Sequence, residues 1–172
     1  MDKAALRQQF KESRNNAPYK QLKLSDIESL VHNRSHIAIY LPINNEIDTV
    51  SFIKWALSST PTKSIYLPRP TPSSYEIAKI INLESDIING PYNTKIPHPK
   101  LPRFNPKEIE LWIIPGLAFT ASGIRLGYGK GIYDQLLANT SGYKLGVAHY
   151  CQKTTQLPQD NWDINMDFVL FY

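Results

Sequence analysis

Cysteine is nearly absent from the 172-residue chain. Cys151 stands alone, which excludes an internal disulfide and any multi-cysteine metal site. Long hydrophobic runs are missing too. The longest nearly unbroken one, Leu111 to Phe119, contains Pro115 and Gly116 and is far too short to span a bilayer. The first residues, Met1-Asp2-Lys3-Ala4-Ala5-Leu6-Arg7, carry charge where a secretory signal needs an apolar stretch, so the expected setting is cytoplasmic, with no membrane partner. A broad excess of one charge is also lacking. The net charge is +4, but residues 1–24 hold Lys3, Arg7, Lys11, Arg14, Lys20 and Lys23 against Asp2 and Glu12, which accounts for the whole excess. That distribution favours a local anion site over a nucleic-acid surface, and no nucleic-acid partner is expected.

What is present suits a folded α/β protein. Hydrophobic residues at 42% can fill a core, and the length fits a single domain over residues 1–172. Residues 2–15 read as a helix, with Leu6 and Phe10 turned to the body and Lys3, Arg7, Lys11 and Arg14 recurring as a basic stripe, which taken alone is a solvated face. Ser25-x-x-Glu28 reads as a capping box opening a second helix that runs to Val31. The run from His36 to Leu41 predicts a buried strand closed by Pro42, followed by a helix from Glu46 to Ser59 and a strand from Ser64 to Leu67. This order predicts a parallel sheet with right-handed crossovers. Residues 75–83 suit either a helix or a strand. The five prolines between Gly90 and Pro106 predict an ordered crossing without regular structure. Further strands are expected from Glu108 to Ile114, Tyr143 to His149 and Phe168 to Tyr172.

Glycine is scarce, at 8 residues, yet Gly123, Gly127, Gly129 and Gly131 fall within one short interval that follows the Glu108–Ile114 strand. Such spacing lets backbone N–H groups approach an anion closely. Arg125 and Lys130 add positive charge, and the loop leads into a helix at Ile132-Tyr133-Asp134-Gln135-Leu136-Leu137. Asp134 is placed to hold magnesium bridging phosphate oxygens. A Walker A loop is excluded, because Gly131 rather than Ser or Thr follows Lys130. The dinucleotide pattern fails because its third glycine falls one place early. The residues read as a phosphate loop, or alternatively as a glycine-rich hairpin without a ligand.

The segment Arg125-Leu126-Gly127-Tyr128-Gly129-Lys130-Gly131-Ile132-Tyr133-Asp134, preceded by Pro115-Gly116, resembles the signature of the 5-formyltetrahydrofolate cyclo-ligase (5,10-methenyltetrahydrofolate synthetase) family. Lys3-x-x-x-Arg7, Leu41 with Glu46-Ile47-Asp48-Thr49, Gly146-Val147-Ala148, Leu157-Pro158 and Asp163 resemble other family segments in the same order. The resemblance implies a three-layer, Rossmann-like α/β fold with a mostly parallel central sheet flanked by helices, and a strand for the undecided residues 75–83. It implies ATP- and magnesium-dependent conversion of 5-formyltetrahydrofolate to 5,10-methenyltetrahydrofolate; separately, a monomer is expected. It assigns ATP to Lys3, Arg7 and the loop from Arg125 through Leu126, Gly127, Tyr128, Gly129, Lys130, Gly131 and Ile132 to Tyr133. Folate falls to Leu41, Glu46 and the loop residues Tyr128 to Ile132, and magnesium to Asp134 and Asp163. Arg125 and Lys130 are the candidate electrostatic catalysts, since on that chemistry N10 of the folate is itself the nucleophile and the protein need supply only position and charge.

Four positions depart from the commoner family pattern: His98, Thr120, Ile132 and Trp162. Thr120 is expected to loosen the loop's internal bonding. The alternative function is a non-catalytic ATP- or folate-binding protein on the same fold. His149 and Cys151, two apart on an expected strand, are read as a packed neighbour pair rather than a nucleophile and base.

Overall fold

In the computed structural model, described at residues 2–59, 63–91 and 94–172, alternation along the strands decides which layer each residue covers. β1 (His36–Ala38), β2 (Ser64–Pro70), β7 (Leu111–Ile114), β10 (Tyr143–Ala148) and β12 (Phe168–Phe171) run parallel, while β3 (Tyr75–Ile80) is antiparallel to β2 and also to β6 (Arg103–Phe104). Together they form one seven-stranded sheet in the order β12-β10-β7-β1-β2-β3-β6. Ile37, Ile65, Leu111, Ile113 and Leu145 point to one side, against α2 (Leu24–Val31) and α3 (Val50–Ser58). Their alternates Ala38, Tyr66, Trp112 and Ile114 point to the other, against Phe119, Met166 and α4 (Ile132–Leu137). All four residues of β7 are buried, as a strand covered on both faces requires. The three-layer, mostly parallel α/β architecture is the one expected.

A small sheet, β11 (Lys153–Thr154), β8 (Ala118–Thr120) and β9 (Arg125–Leu126), lies beside the main one. Phe10 of α1 (Lys3–Asn15) packs with Leu117, Ala118, Leu126 and Leu157 there, which sets α1 beside the glycine loop. The N-terminus of α1 is closed by Asp2, whose carboxylate accepts from the Ala4 and Ala5 N–H groups.

Several local expectations are corrected. Ser25 is not the cap: it lies within α2, whose capping position is Lys23, and its hydroxyl donates to the Asp26 carboxylate. The other end of α2 is held by the Lys63 ammonium, which donates to the Val31 and His32 carbonyls. α3 starts at Val50, not Glu46, because Asn44 and Asn45 adopt left-handed turns and Asp48 is drawn into backbone bonding with Lys20 and Leu22. Residues 75–80 form a strand. The proline-rich stretch is not irregular: β5 (Lys95–Pro97) pairs with β4 (Ile87–Asn89) in a hairpin, and β6 lies at a sheet edge. Pro97 is tolerated because it closes a short two-stranded ribbon. His149 and Cys151 are not on a strand. His149 precedes a short 3-10 turn, buried, with Nε2 against the Asn45 carbonyl oxygen, and Cys151 is exposed. Among the described residues, no helix is long and apolar enough to cross a membrane.

From β1 the chain moves to β2 on one side, whereas β7 lies on the other side of β1. The segments leaving the carboxyl ends of β1 and β7 therefore diverge, and an open α/β sheet offers a ligand its crevice at such a point.

Candidate active site

A cleft of about 560 Å³ opens at that divergence. Every residue assigned to a ligand from the sequence lines it: Lys3, Arg7, Leu41, Glu46, the run from Arg125 to Asp134, and Asp163. They come from α1, the segment after β1, the glycine loop and the segment before β12. The β4–β5 hairpin supplies a further wall through Pro91 and Ile96.

The loop is built by backbone geometry. β8 and β9 pair antiparallel, with Ala118 opposite Leu126, and the turn between them is closed by Thr120. Its hydroxyl accepts from the Ile124 N–H at 3.0 Å, and its backbone N–H donates to the Ile124 carbonyl. Thr120 therefore holds the turn, contrary to the expected loosening. Gly123 has φ of +90°, and a Cβ there would lie 2.1 Å from the Met166 carbonyl oxygen. Gly129 also has φ of +90°, and a Cβ on it would meet the Arg7 guanidinium at 3.2 Å. Arg7 fills that space and donates from Nε to the Gly127 carbonyl at 3.0 Å, joining α1 to the loop.

Within the cleft, cations and carboxylates are paired with one another. Lys3 Nζ donates to Asp160 at 2.6 Å and to Asp163 at 3.1 Å, and Arg125 Nη2 donates to Asp134 at 3.2 Å. The Asp160 hydrogen bond, with Asp163 adding to it, holds the Lys3 ammonium above the usual lysine range. Arg125 is nearly enclosed, lies over the Tyr133 ring at 5.4 Å, and leaves its Nε without a partner. Asp160 was missed from the sequence; the available signal was its place three residues before Asp163, whose carboxylate accepts the Asp160 N–H at 2.7 Å.

Glu46 lines the same cleft yet is largely buried, 7% exposed. Its Oε1 accepts from Tyr128 at 3.1 Å and from Arg14 at 3.3 Å, and its Oε2 accepts from the Ile43 N–H at 3.1 Å. Burial pushes its carboxyl up to about 7, against the pull of the Arg14 charge. Burial and then the Glu46 charge also raise the Tyr133 phenol well above its ordinary value. Of the four departures, Ile132 and Trp162 line the cleft, Trp162 being 72% exposed. His98 is a turn residue, its carbonyl accepting from Arg69 Nη1 and its Nδ1 from the Lys100 N–H.

The donor set suits magnesium. Among the described residues no three His, Cys, Asp or Glu side chains gather as a closed metal cage. Magnesium bound with a nucleotide needs only one or two carboxylates, with phosphate oxygens and water completing the octahedron. Asp134 and Asp163 offer those hard oxygens on the walls of one cleft.

The chain is similar to known proteins over its whole length. The family model described as the 5-formyltetrahydrofolate cyclo-ligase family matches residues 1–172. The 5-formyltetrahydrofolate cyclo-ligase of Escherichia coli (strain K12) is 33% identical over 144 residues, 78% of this chain and 76% of that one. The cyclo-ligase of Mycoplasma pneumoniae is 27% identical over 183 residues, covering 99% of this chain and 98% of its own. The solved 5,10-methenyltetrahydrofolate synthetase from Aquifex aeolicus superposes with a TM-score of 0.82 at 29% identity, over 99% of this chain and 90% of that one. With a family match spanning the whole chain, and with the signature loop and its partner segments folded around one cleft, this protein belongs to the 5-formyltetrahydrofolate cyclo-ligase family.

Proposed function

We propose that the chain converts 5-formyltetrahydrofolate to 5,10-methenyltetrahydrofolate, splitting ATP to ADP and phosphate with magnesium, and that it does so as a monomer. The observation that carries this reading is the convergence of all the assigned residues on one cleft within a single chain. That convergence also favours treating residues 1–172 as one domain.

The formyl carbon on N5 is amide-like and a poor electrophile. Transfer of the γ-phosphoryl group to the formyl oxygen makes that oxygen a leaving group. N10 then attacks the carbon and loses its proton. The C–O bond breaks, its electron pair leaves with phosphate, and the nitrogen lone pairs stabilise the methenyl cation. Lys130 and Arg125 stabilise charge on the phosphoryl oxygens, while Lys3 and Arg7 hold the nucleotide beside the loop. Asp134 and Asp163 would hold the magnesium ion, which supplies further neutralisation of phosphate charge. Leu41 and the apolar wall at Pro68 and Ile96 receive the folate ring system, and Glu46 accepts its N–H groups. The self-pairing in the cleft fits this assignment: phosphate replaces carboxylate on Lys3 and Arg125, and the aspartates are released for metal.

The test is the absorbance of methenyltetrahydrofolate on mixing purified protein with 5-formyltetrahydrofolate, ATP and magnesium. Its band should grow only in the complete mixture. A flat trace from folded protein that binds ATP would leave the non-catalytic alternative standing.

A further inference from the structure

Arg14 belongs, by spacing, to the basic stripe of α1, yet it is 0% exposed. It does not line the cleft. It lies beneath the floor, where three segments meet. Its Nη1 donates to Glu46, and its guanidinium lies 5.4 Å from the centre of the Tyr128 ring. Its carbonyl accepts from the Asn45 side chain at 2.7 Å, in the left-handed turn that delivers Glu46. Nε and Nη2 are buried without a hydrogen-bond partner. Leaving two donors of a charged group unsatisfied is costly, and a surface placement would have avoided it. What the position gains is a fixed positive charge against Glu46 and Tyr128.

We propose that Arg14 is a positioning residue for the reaction: from beneath the cleft it holds the Glu46 carboxylate and the Tyr128 ring in one arrangement, so that the folate contact and the nucleotide loop are set together. This rests on the reading of Glu46 as a folate contact. Arg14 also sets the charge of Glu46. The groups facing that carboxylate are Arg14 from α1, Tyr128 from the loop, Tyr40 after β1 and Tyr133 from α4. The three phenols are all raised above their ordinary range and stay neutral, so Arg14 is the opposite charge that counters burial. His149 lies beyond the Asn45 turn, kept below the usual histidine range by burial first, with the Arg14 charge contributing. Removing Arg14 raises the Glu46 pKa from about 7, so the carboxylate form is reached only at higher pH.

The experiment compares the pH profile of kcat/KM in the wild type, Arg14→Met, Arg14→Lys, Glu46→Gln and the Arg14→Met/Glu46→Gln double variant. In Arg14→Met the acid limb moves up by about one pH unit or more, which at pH 7 is about a fivefold loss from ionisation alone, recovered in part at alkaline pH. Arg14→Lys keeps the charge without the planar fork and falls between. In the Glu46→Gln background the limb is absent and Arg14→Met costs little more. An unmoved limb in both Arg14 variants, or equal Arg14→Met losses with and without Glu46, overturns the proposal. If Arg14→Met fails to fold, Arg14→Lys carries the comparison. A 13C-glutamate NMR titration, with the Glu46 signal assigned by its loss in Glu46→Gln, reads the same shift without turnover. A wild type that lacks turnover therefore refutes the proposed function while this second readout still decides on Arg14.

Discussion

Asp160 offers a perturbation whose two effects have opposite signs. Lys3 donates to Asp160 at 2.6 Å with side-chain exposures of 25% and 44%, a partly solvated pair. Pairs of this kind contribute about 0.2–1 kcal/mol. Asp160→Asn removes the charge but keeps the backbone N–H that the Asp163 carboxylate accepts, so the surrounding turn survives. Losing the pair lowers Tm by at most about 4 °C for a chain of this size. The same change frees Lys3 from one competitor for phosphate, so ATP binds tighter by at most about fivefold. Calorimetric titration with magnesium and a non-hydrolysable ATP analogue, alongside thermal unfolding without nucleotide, measures both. The affinity gain should shrink as salt rises, because the pair is exposed. Lower stability with unchanged or weaker nucleotide binding would mean that Asp160 is a structural anchor or a ligand in its own right, and the exchange argument would fail.

Other expectations follow from the same geometry. Asp134→Ala, or chelation of magnesium in the wild type, should abolish ATP-dependent turnover; full activity in either case removes Asp134 from the metal assignment. Gly123→Ala sets a Cβ 2.1 Å from the Met166 carbonyl oxygen at φ +90°, so it should destabilise the fold by at least about 2 kcal/mol in urea unfolding. A Gly123→Ala variant as stable as the wild type would contradict that placement of β8 and β9. Glu46 has a folded pKa of about 7 against an ordinary 4.5, so the folded state binds the extra proton and stability falls as pH rises through that window. The span corresponds to up to about 3 kcal/mol. The stability of Glu46→Gln relative to the wild type should therefore improve between pH 5 and pH 8, whatever fixed cost orphaning Arg14 brings; denaturant titrations at the two pH values, giving a constant difference, would refute it.

The glycine loop was readable in the sequence because its signal is local: four glycines, two cations and a preceding apolar strand announce a backbone-built site without reference to anything distant. The hydrophobic runs of β2, β7 and β10 were legible for the same reason. Arg14 was not. Its spacing from Lys3, Arg7 and Lys11 is that of a solvated stripe, and periodicity does not register that α1 ends against the Asn45 turn and the Tyr128 ring. Asp160 was hidden likewise, since its role depends on a lysine 157 residues away. The start of α3 was misplaced because Glu46 and Asp48 look like first-turn carboxylates, whereas the turn at Asn44 and Asn45 takes them out of the helix. The β4–β5 hairpin was lost behind its prolines, which exclude an interior strand but not a two-stranded edge.

The bond between Lys3 and Asp163 spans 160 positions of the chain, and the cleft wall takes in the segments after β1 and β7 on the way. A site assembled from such distant parts needs the non-local contacts of the sheet to be in place. A ligand that needs all of these segments at once is expected to bind the native state in preference to partly folded chains. Mass action then raises the stability of the whole molecule, not of one loop. If β7 and β10, inside the main sheet, open only with the whole molecule, their amides should slow with ligand as much as those beside it. The cellular supply of substrate would in that way set how long the protein lasts as well as how fast it works.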